Sequence, residues 1–376
     1  MTCCRADEPS APVRSYGISG NGTEKGAGMG TAIAAPPRSN VGGRPSTAWK
    51  WARLLGGAAV LAVLVWRLGT GPFLDGVRSI DGWSLAAAAA IAVLTTVCCA
   101  WRWSLVARGL GVGVPLTAAV AAYYRSQFLN STLPGGVLGD VHRAVRHGRD
   151  AGDLGRGLRA VAWERTAGQL VQIGLAVVVL LVLPSPVRSS MPLVAAVVAV
   201  VLAAGVLAGV LLTWALPRGG PSRWARTLRA AVGDIRQGLL ARPAWPGILL
   251  ASTVVVAGHV ATFLIAARTA GSTASPVQLV PLALLVLLAM GIPLNVGGWG
   301  PREGVAAWAF GVAGLGAAQG VAAAVVYGVL ALVASLPGAV LLVAGWLRRE
   351  VGPPGRADPP RSPVPAAAGL GGAGRG

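Results

Sequence analysis

Charged residues are scarce in this chain. Only 12% of its 376 residues are Asp, Glu, Lys or Arg, against 54% hydrophobic. A soluble globular chain carries about a quarter charged residues, so there is too little charge here to cover a compact body with a wetted surface. Acidic residues are scarcer still, 13 against 32 basic ones, which leaves a formal charge of +19. Nucleic-acid recognition needs a basic face on a folded surface. Here the arginines sit in the tails and between apolar runs, where orientation in a bilayer and contact with anionic headgroups would use them. Nucleic acid is therefore not an expected partner. The four cysteines come as Cys3, Cys4 and Cys98, Cys99, with neither metal-ligand spacing nor a disulfide framework. There is no G-x-x-x-x-G-K-[ST] loop, no His/Asp/Glu cluster of catalytic spacing, and no apolar run near Met1 that reads as a compact signal peptide. No cofactor or metal is expected.

What the chain does have is long apolar runs. Several reach the roughly 20 residues that a helix needs to cross about 30 Å of hydrocarbon. The runs predict spans at about 52–68, 84–106, 163–183, 191–216, 245–267, 276–293, 302–318 and 321–346. The expected fold is all-α: a polytopic transmembrane bundle with about eight crossings, re-entrant or broken helices, and an inverted repeat as a possibility. Residues 1–48 and 351–376 are rich in Gly, Pro and small residues and read as disordered tails around a membrane domain at 49–350. Abundant Gly and Ala along the spans would let helices approach closely, as packing within lipid requires. Most tryptophans, such as Trp49, Trp51, Trp66, Trp83 and Trp346, flank span ends as interfacial anchors.

Charge placement sets an orientation. Arg38, Arg44, Lys50 and Arg53 precede the first span, while the next connection balances Arg67 and Arg78 against Asp75 and Asp81. The N-terminus is thus expected inside and the first loop outside. The segment 218–242 holds six arginines against Asp234 alone, and Arg348 and Arg349 follow the last span. Both belong inside. If residues 113–139 crossed once, the five arginines from Arg143 to Arg159 and the 218–242 segment would be forced outside. The segment is therefore expected to enter and leave on the cytoplasmic side, or to lie along that interface. Its Tyr123, Tyr124, Arg125, Gln127 and Asn130 suit a hairpin facing protein or a wet cavity.

Two glycine-rich breaks interrupt the apolar pattern in a similar way. One runs from Asn130 through Pro134, Gly135, Gly136 and Asp140 to Arg143. The other runs from Gly291 through Pro293, Asn295, Gly297, Gly298, Arg302 and Glu303 to Gly304. Each joins a proline, which cannot donate a backbone bond, to a Gly-Gly pair and then a charged cluster. A helix broken inside a membrane exposes amides and carbonyls that cavity water, side chains or a ligand must satisfy. Transporters use paired breaks to aim positive helix ends at an anion. An anionic lipid phosphate held by Arg143 or Arg302 follows from that device. Interfacial loops whose arginines snorkel to headgroups are the competing account.

Three further features bear on the site. Glu164 and Arg165 stand where a span begins, near the membrane edge. Glu164 is a partner for Arg143 or Arg302, or a proton-coupling carboxylate, with simple pairing favoured. Arg165, Gln169 and Gln172 share one helix face, which should point into the bundle. His259 lies alone in an apolar run, where an interhelical hydrogen bond by the neutral ring competes with a functional role.

The stretch FLNSTLPGGVLGDVHRA, the Glu164-Arg165 pair and IPLNVGGWGPREG resemble the membrane domain of the lysylphosphatidylglycerol synthase/flippase family over about residues 50–348. The resemblance maps the family pattern onto Asn130, Pro134, Gly135, Gly136, Gly139, Asp140 and Arg143, then Glu164 and Arg165, then Pro293, Gly297, Gly298, Gly300, Arg302 and Glu303. Pro301 departs from it, since relatives more often carry a small aliphatic residue there; proline is tolerated at a first helical turn. Members that make aminoacylated lipid add further helices and a soluble catalytic domain. This chain ends in a tail, so synthase activity is not expected. The resemblance implies a translocator of anionic, aminoacylated or polyprenyl-linked lipid, with membrane lipids as its partners and a membrane or cytoplasmic enzyme as a possible further one. A secondary transporter of a small solute and a noncatalytic accessory or scaffold protein are the alternatives.

Overall fold

The computed structural model describes residues 47–133, 136–190, 244–291 and 299–350, with scattered positions between 196 and 241. The two tails, the span expected at 191–216, and the break residues Pro134, Gly135, Pro293, Asn295, Gly297 and Gly298 lie outside the described residues. What is described is helical: α1 Thr47–Leu68, α2 Gly71–Arg78, α3 Gly82–Gly109, α4 Leu116–Thr132, α5 Leu138–Asp150, α6 Leu154–Val182, α7 Trp245–Thr269, α8 Pro276–Met290, α9 Pro301–Val312 and α10 Ala317–Glu350. Among the described residues, α3, α6, α7 and α10 are each long and apolar enough to cross a bilayer, and α1 with α2 makes a fifth if that pair, bent by 96°, counts as one span. The chain is thus a polytopic all-α membrane bundle. At 1.5 Å per residue, α8 and α9 are only about 22 and 18 Å long. The run expected as one span at 302–318 is in fact two helices parted at 313–316, where Gly314 and Gly316 take positive φ.

Local chemistry explains the ends. The Asp81 carboxylate accepts the Ser84 amide at 2.8 Å at the start of α3, and Asp153 does the same for Arg156 at 2.9 Å at the start of α6. Proline opens α8 and α9, where its missing N–H costs nothing. The turns out of α3 and α7 are built alike. Gly111 and Gly271 adopt φ of +75° and +87° and donate to Arg108 and Arg268; the following amides, Val112 and Ser272, donate to Ala107 and Ala267, both at 2.9 Å. The turns out of α5 and α9 also match, with Gly152 and Gly314 at φ of +70° and +75°.

Two sets of four helices therefore repeat, α3–α6 and α7–α10, each a long helix, a shorter one, a break, another short one and a second long helix. Their packing repeats too. If α3 is exchanged for α7, α4 for α8, α5 for α9 and α6 for α10, the pairing of α4 with α10 becomes that of α8 with α6, and α5 with α6 becomes α9 with α10. The α3–α7 pairing maps onto itself. Glycines permit the close approaches: Gly157 of α6 lies on Gly148 and Ala144 of α5, and Gly320 of α10 lies on Ala306 and Phe310 of α9.

The connections gather in two groups. Gly76 of α2 touches Ala322 near the start of α10, and Gln319 there donates to the Ala270 carbonyl of the α7–α8 turn at 2.7 Å. In the other group, Leu110 of the α3–α4 turn meets Gly238, and Asp234 receives Arg159 near the start of α6 at 2.6 Å. Helices α3 and α7 consequently run in opposite directions. The core is small-residue rich, with Ala266, Ala283 and Ala323 buried around Phe263, Phe310 and Tyr327 in one cluster, and Ala100 and Ala107 around Trp103 and Tyr123 in another.

Candidate functional site

Helices α4 and α5 fold back on each other as a hairpin. Gly139 sits so close to the Ser126 carbonyl that a Cβ would overlap it. Asn130, on the last turn of α4, accepts the Gly139 amide at 2.8 Å and donates to Asp140 at 3.1 Å. It thereby satisfies one of the orphan donors at the start of α5. Asp140 also accepts from Ser126 at 3.0 Å, from Arg143 at 3.2 Å and from Arg165 of α6 at 2.7 Å.

Behind this carboxylate lies a second one. Glu164 has no solvent exposure. One of its oxygens accepts both Nε, at 2.9 Å, and Nη2 of Arg102 from α3, and the other accepts Nη2 of Arg143 at 3.0 Å. Arg102 also reaches Ser252 of α7 at 3.0 Å, and it lies over Gly168, where any side chain would collide with the guanidinium. The Arg143 guanidinium is held between the rings of Tyr123 and Trp103, 4.0 and 4.6 Å from their centroids. The expected pairing of Glu164 with Arg143 is present, and the partner on its other side is Arg102 rather than Arg302. The helix expected to begin at 163 starts at Leu154, so Glu164 lies within α6 and not at its start, as the buried link between α3, α5 and α6.

The second hairpin, α8 and α9, carries a smaller arrangement at its tip. Glu303 accepts the Gly300 amide at 2.7 Å and Nε of Arg302 at 2.8 Å, both side chains being buried. Gly300 has φ of +127°, which favours glycine there. The Arg302 guanidinium faces Trp299 and Tyr327 and lies against Gly328. The Tyr327 hydroxyl and His259 Nδ1 are 3.0 Å apart, so the lone histidine makes an interhelical hydrogen bond.

A cavity of about 350 Å³ lies between the hairpin tips. Asn130, Ser131 and Gly136 line it from the first tip, and Met290, Trp299 and Arg302 from the second. The long helices contribute their middles: Thr95 to Arg102 of α3, Arg165 to Gln172 of α6, Ser252 to Thr262 of α7 and Tyr327 to Ser335 of α10. Arg165, Gln169 and Gln172 all reach it, as their shared face requires. Three arginines line this space, Arg102, Arg165 and Arg302, and no Asp or Glu does among the described residues. The counter-charges Asp140, Glu164 and Glu303 stand behind them.

Sequence reasoning missed Arg102. It lies inside an apolar run between Trp101 and Trp103, and its signal was the cost of a cation within a span. Ser252 and Tyr327 were missed because single polar residues in apolar helices carry no pattern, whereas Gln127, expected to face protein or a wet cavity, does line it.

Helices of these lengths around a polar, cation-lined interior define a multi-pass membrane protein with a central ligand-sized cavity. The chain belongs to the family described as Lysylphosphatidylglycerol synthase TM region, whose model matches residues 50–338. The match is to a membrane region, and no synthase activity follows from it. No curated protein and no solved structure matches the chain.

Proposed function

We propose that the protein is a translocator of anionic lipid, in which the two hairpins enter from opposite faces and present their tips to a headgroup at mid-depth. The observation that carries this reading is the cavity wall, with three guanidinium groups in front and their carboxylates behind. Such a wall favours a phosphate or other anionic headgroup through charge-assisted hydrogen bonds, while the lipid tails stay in hydrocarbon. Aminoacylated and polyprenyl-linked lipids share that phosphate.

The same geometry supports a topology. With α8–α9 re-entrant, two of the eight crossings are removed and both termini remain cytoplasmic. The crossings are then α1, α3, α6, α7 and α10, with the apolar run 191–216 counted as a sixth from its sequence alone. The α3–α4 turn, the start of α6 and the arginine-rich 218–242 segment share the cytoplasmic side, and α2, the α7–α8 turn and the start of α10 share the other. This agrees with the arginine distribution. Opposite courses of α3 and α7, together with exchangeable packing, support an inverted repeat around a midplane site.

The test is leaflet exchange in liposomes carrying fluorescent anionic, aminoacylated and polyprenyl lipids. Arg165→Gln removes a cavity-lining cation whose side chain retains 47% exposure, and it is expected to slow exchange of the preferred lipid by about tenfold, as loss of one charged hydrogen bond implies. Unchanged leaflet distribution for every lipid with the wild-type protein defeats the proposal. Uptake of a small soluble anion without lipid exchange would instead establish a solute transporter.

A further inference from the structure

A second concavity lies on the first hairpin, away from the central cavity. It is a groove of about 120 Å³ between α4 and α5, and Arg125, Arg143 and Arg146 line it, with Trp103 closing its floor. At about 30 Å³ per water, this is room for some four waters or one tetrahedral oxyanion. Arg143 and Trp103 are each 1% exposed. Arg143 commits only Nη2 to Glu164 and Asp140. Its Nε and Nη1 have no hydrogen-bond partner among the described residues, and neither do Trp103 Nε1 and Arg125 Nε. Four donor atoms from three helices around one small space thus have no acceptor among the described residues, and a buried unmet donor is costly. Asp150 at the mouth supplies one carboxylate against three guanidinium groups, and His142 and His147 complete the polar wall.

We infer that this groove is a phosphate-binding site, separate from the central cavity, that takes a tetrahedral phosphate group on Arg143 and Arg125 with Arg146 at the entrance. Phosphate supplies acceptors only, which is what an array of donors needs, and guanidinium groups match its geometry. The inference does not rest on the translocation reading, because none of these three arginines lines the central cavity.

Free phosphate and a lipid phosphate monoester share this chemistry, and the experiment separates them. The full-length protein is placed in phosphatidylcholine nanodiscs and titrated with inorganic phosphate by calorimetry, against chloride at equal ionic strength. A parallel set of nanodiscs contains spin-labelled phosphatidic acid, and its immobilised fraction is measured. Arg125→Gln and Arg146→Gln, at partly or fully exposed positions, are each expected to weaken binding about tenfold, whereas Arg78→Gln, exposed on α2 and outside both cavities, leaves it unchanged. Saturable binding of inorganic phosphate with that pattern establishes a site for the free ion. Immobilised phosphatidic acid with the same pattern, and no phosphate heat, establishes a headgroup site. The inference is overturned if neither probe binds, if both groove variants bind as the wild type does, or if Arg78→Gln weakens binding as much as they do.

Discussion

Neutralising Glu164 tests the central network most directly. In Glu164→Gln the shape is kept, but Arg102 and Arg143 lose the negative charge they share. Three hydrogen bonds connect the two guanidinium groups to this carboxylate. Within the cluster, Arg102, Arg143 and Arg165 are balanced by Asp140 and Glu164, so one positive charge remains uncompensated; without Glu164 there are two. The glutamine oxygen keeps one acceptor, while its amide presents donors to a guanidinium. Breaking a buried ion pair on one side costs about 3–5 kcal/mol, and that is the expected loss, measured as reversible unfolding of the purified protein in mixed detergent. Adding Arg102→Met removes the cation left stranded, and the double variant should recover about 1–3 kcal/mol relative to the sum of the single changes. A Glu164→Gln protein within about 0.5 kcal/mol of wild type, the range of an ordinary surface change, would refute the argument, as would strict additivity.

Other expectations follow from individual contacts. Gly139→Ala places a methyl group on the Ser126 carbonyl and should cost about 1–3 kcal/mol as an overpacked contact, whereas Gly174→Ala in α6, with nothing near its Cβ, should be neutral or stabilising in the same unfolding assay. Tyr327→Phe removes the hydrogen bond to His259 and should cost about 1 kcal/mol; a double-mutant cycle with His259→Phe showing no coupling would contradict it. In a background lacking native cysteines, Asp150→Cys should react with impermeant reagents from the cytoplasmic side and Leu315→Cys from the opposite side, and labelling of both from one side would exclude the inverted repeat. The Ser84 amide beside Asp81 holds its carboxyl below the ordinary value of 3.8. The stabilisation from this cap is therefore complete above that value and fades as pH falls through the lowered one, so Asp81→Asn should flatten the acid limb of thermal stability below pH 4.

Much of this arrangement is legible from residue patterns, and the limits have physical causes. Long helices announce themselves through apolar length, so α3, α7 and α10 lie where the hydropathy places them. Polar face spacing assigns Arg165, Gln169 and Gln172 to the interior, and the cavity bears this out. Charge parity leaves 113–139 either re-entering from the cytoplasmic side or lying along that interface, and the structure shows α4 and α5 folded back on each other over 116–150. The partner of a buried carboxylate is not legible, because Arg102 and Glu164 are distant in sequence and meet only once α3 packs on α6. The place where the helix ends inside 302–318 is also not legible: Gly314 and Gly316 are the turn itself, yet glycine is abundant along all the apolar runs.

The placement of carboxylates behind the arginines resolves a conflict that any anion path through a bilayer must face. A bare guanidinium at mid-depth is expensive, and an unpaired one would hold a phosphate too firmly to release it. A carboxylate on the cavity side would compete with the ligand for the same donors. Here Arg165 gives Nη2 to Asp140 at 2.7 Å and still lines the cavity, and Arg302 does the same with Glu303 at its back. Each cation enters the bilayer partly neutralised, with donors left for a guest. Attraction for an anion is then moderate, which is what the proposed passage of a headgroup from one hairpin tip to the other requires.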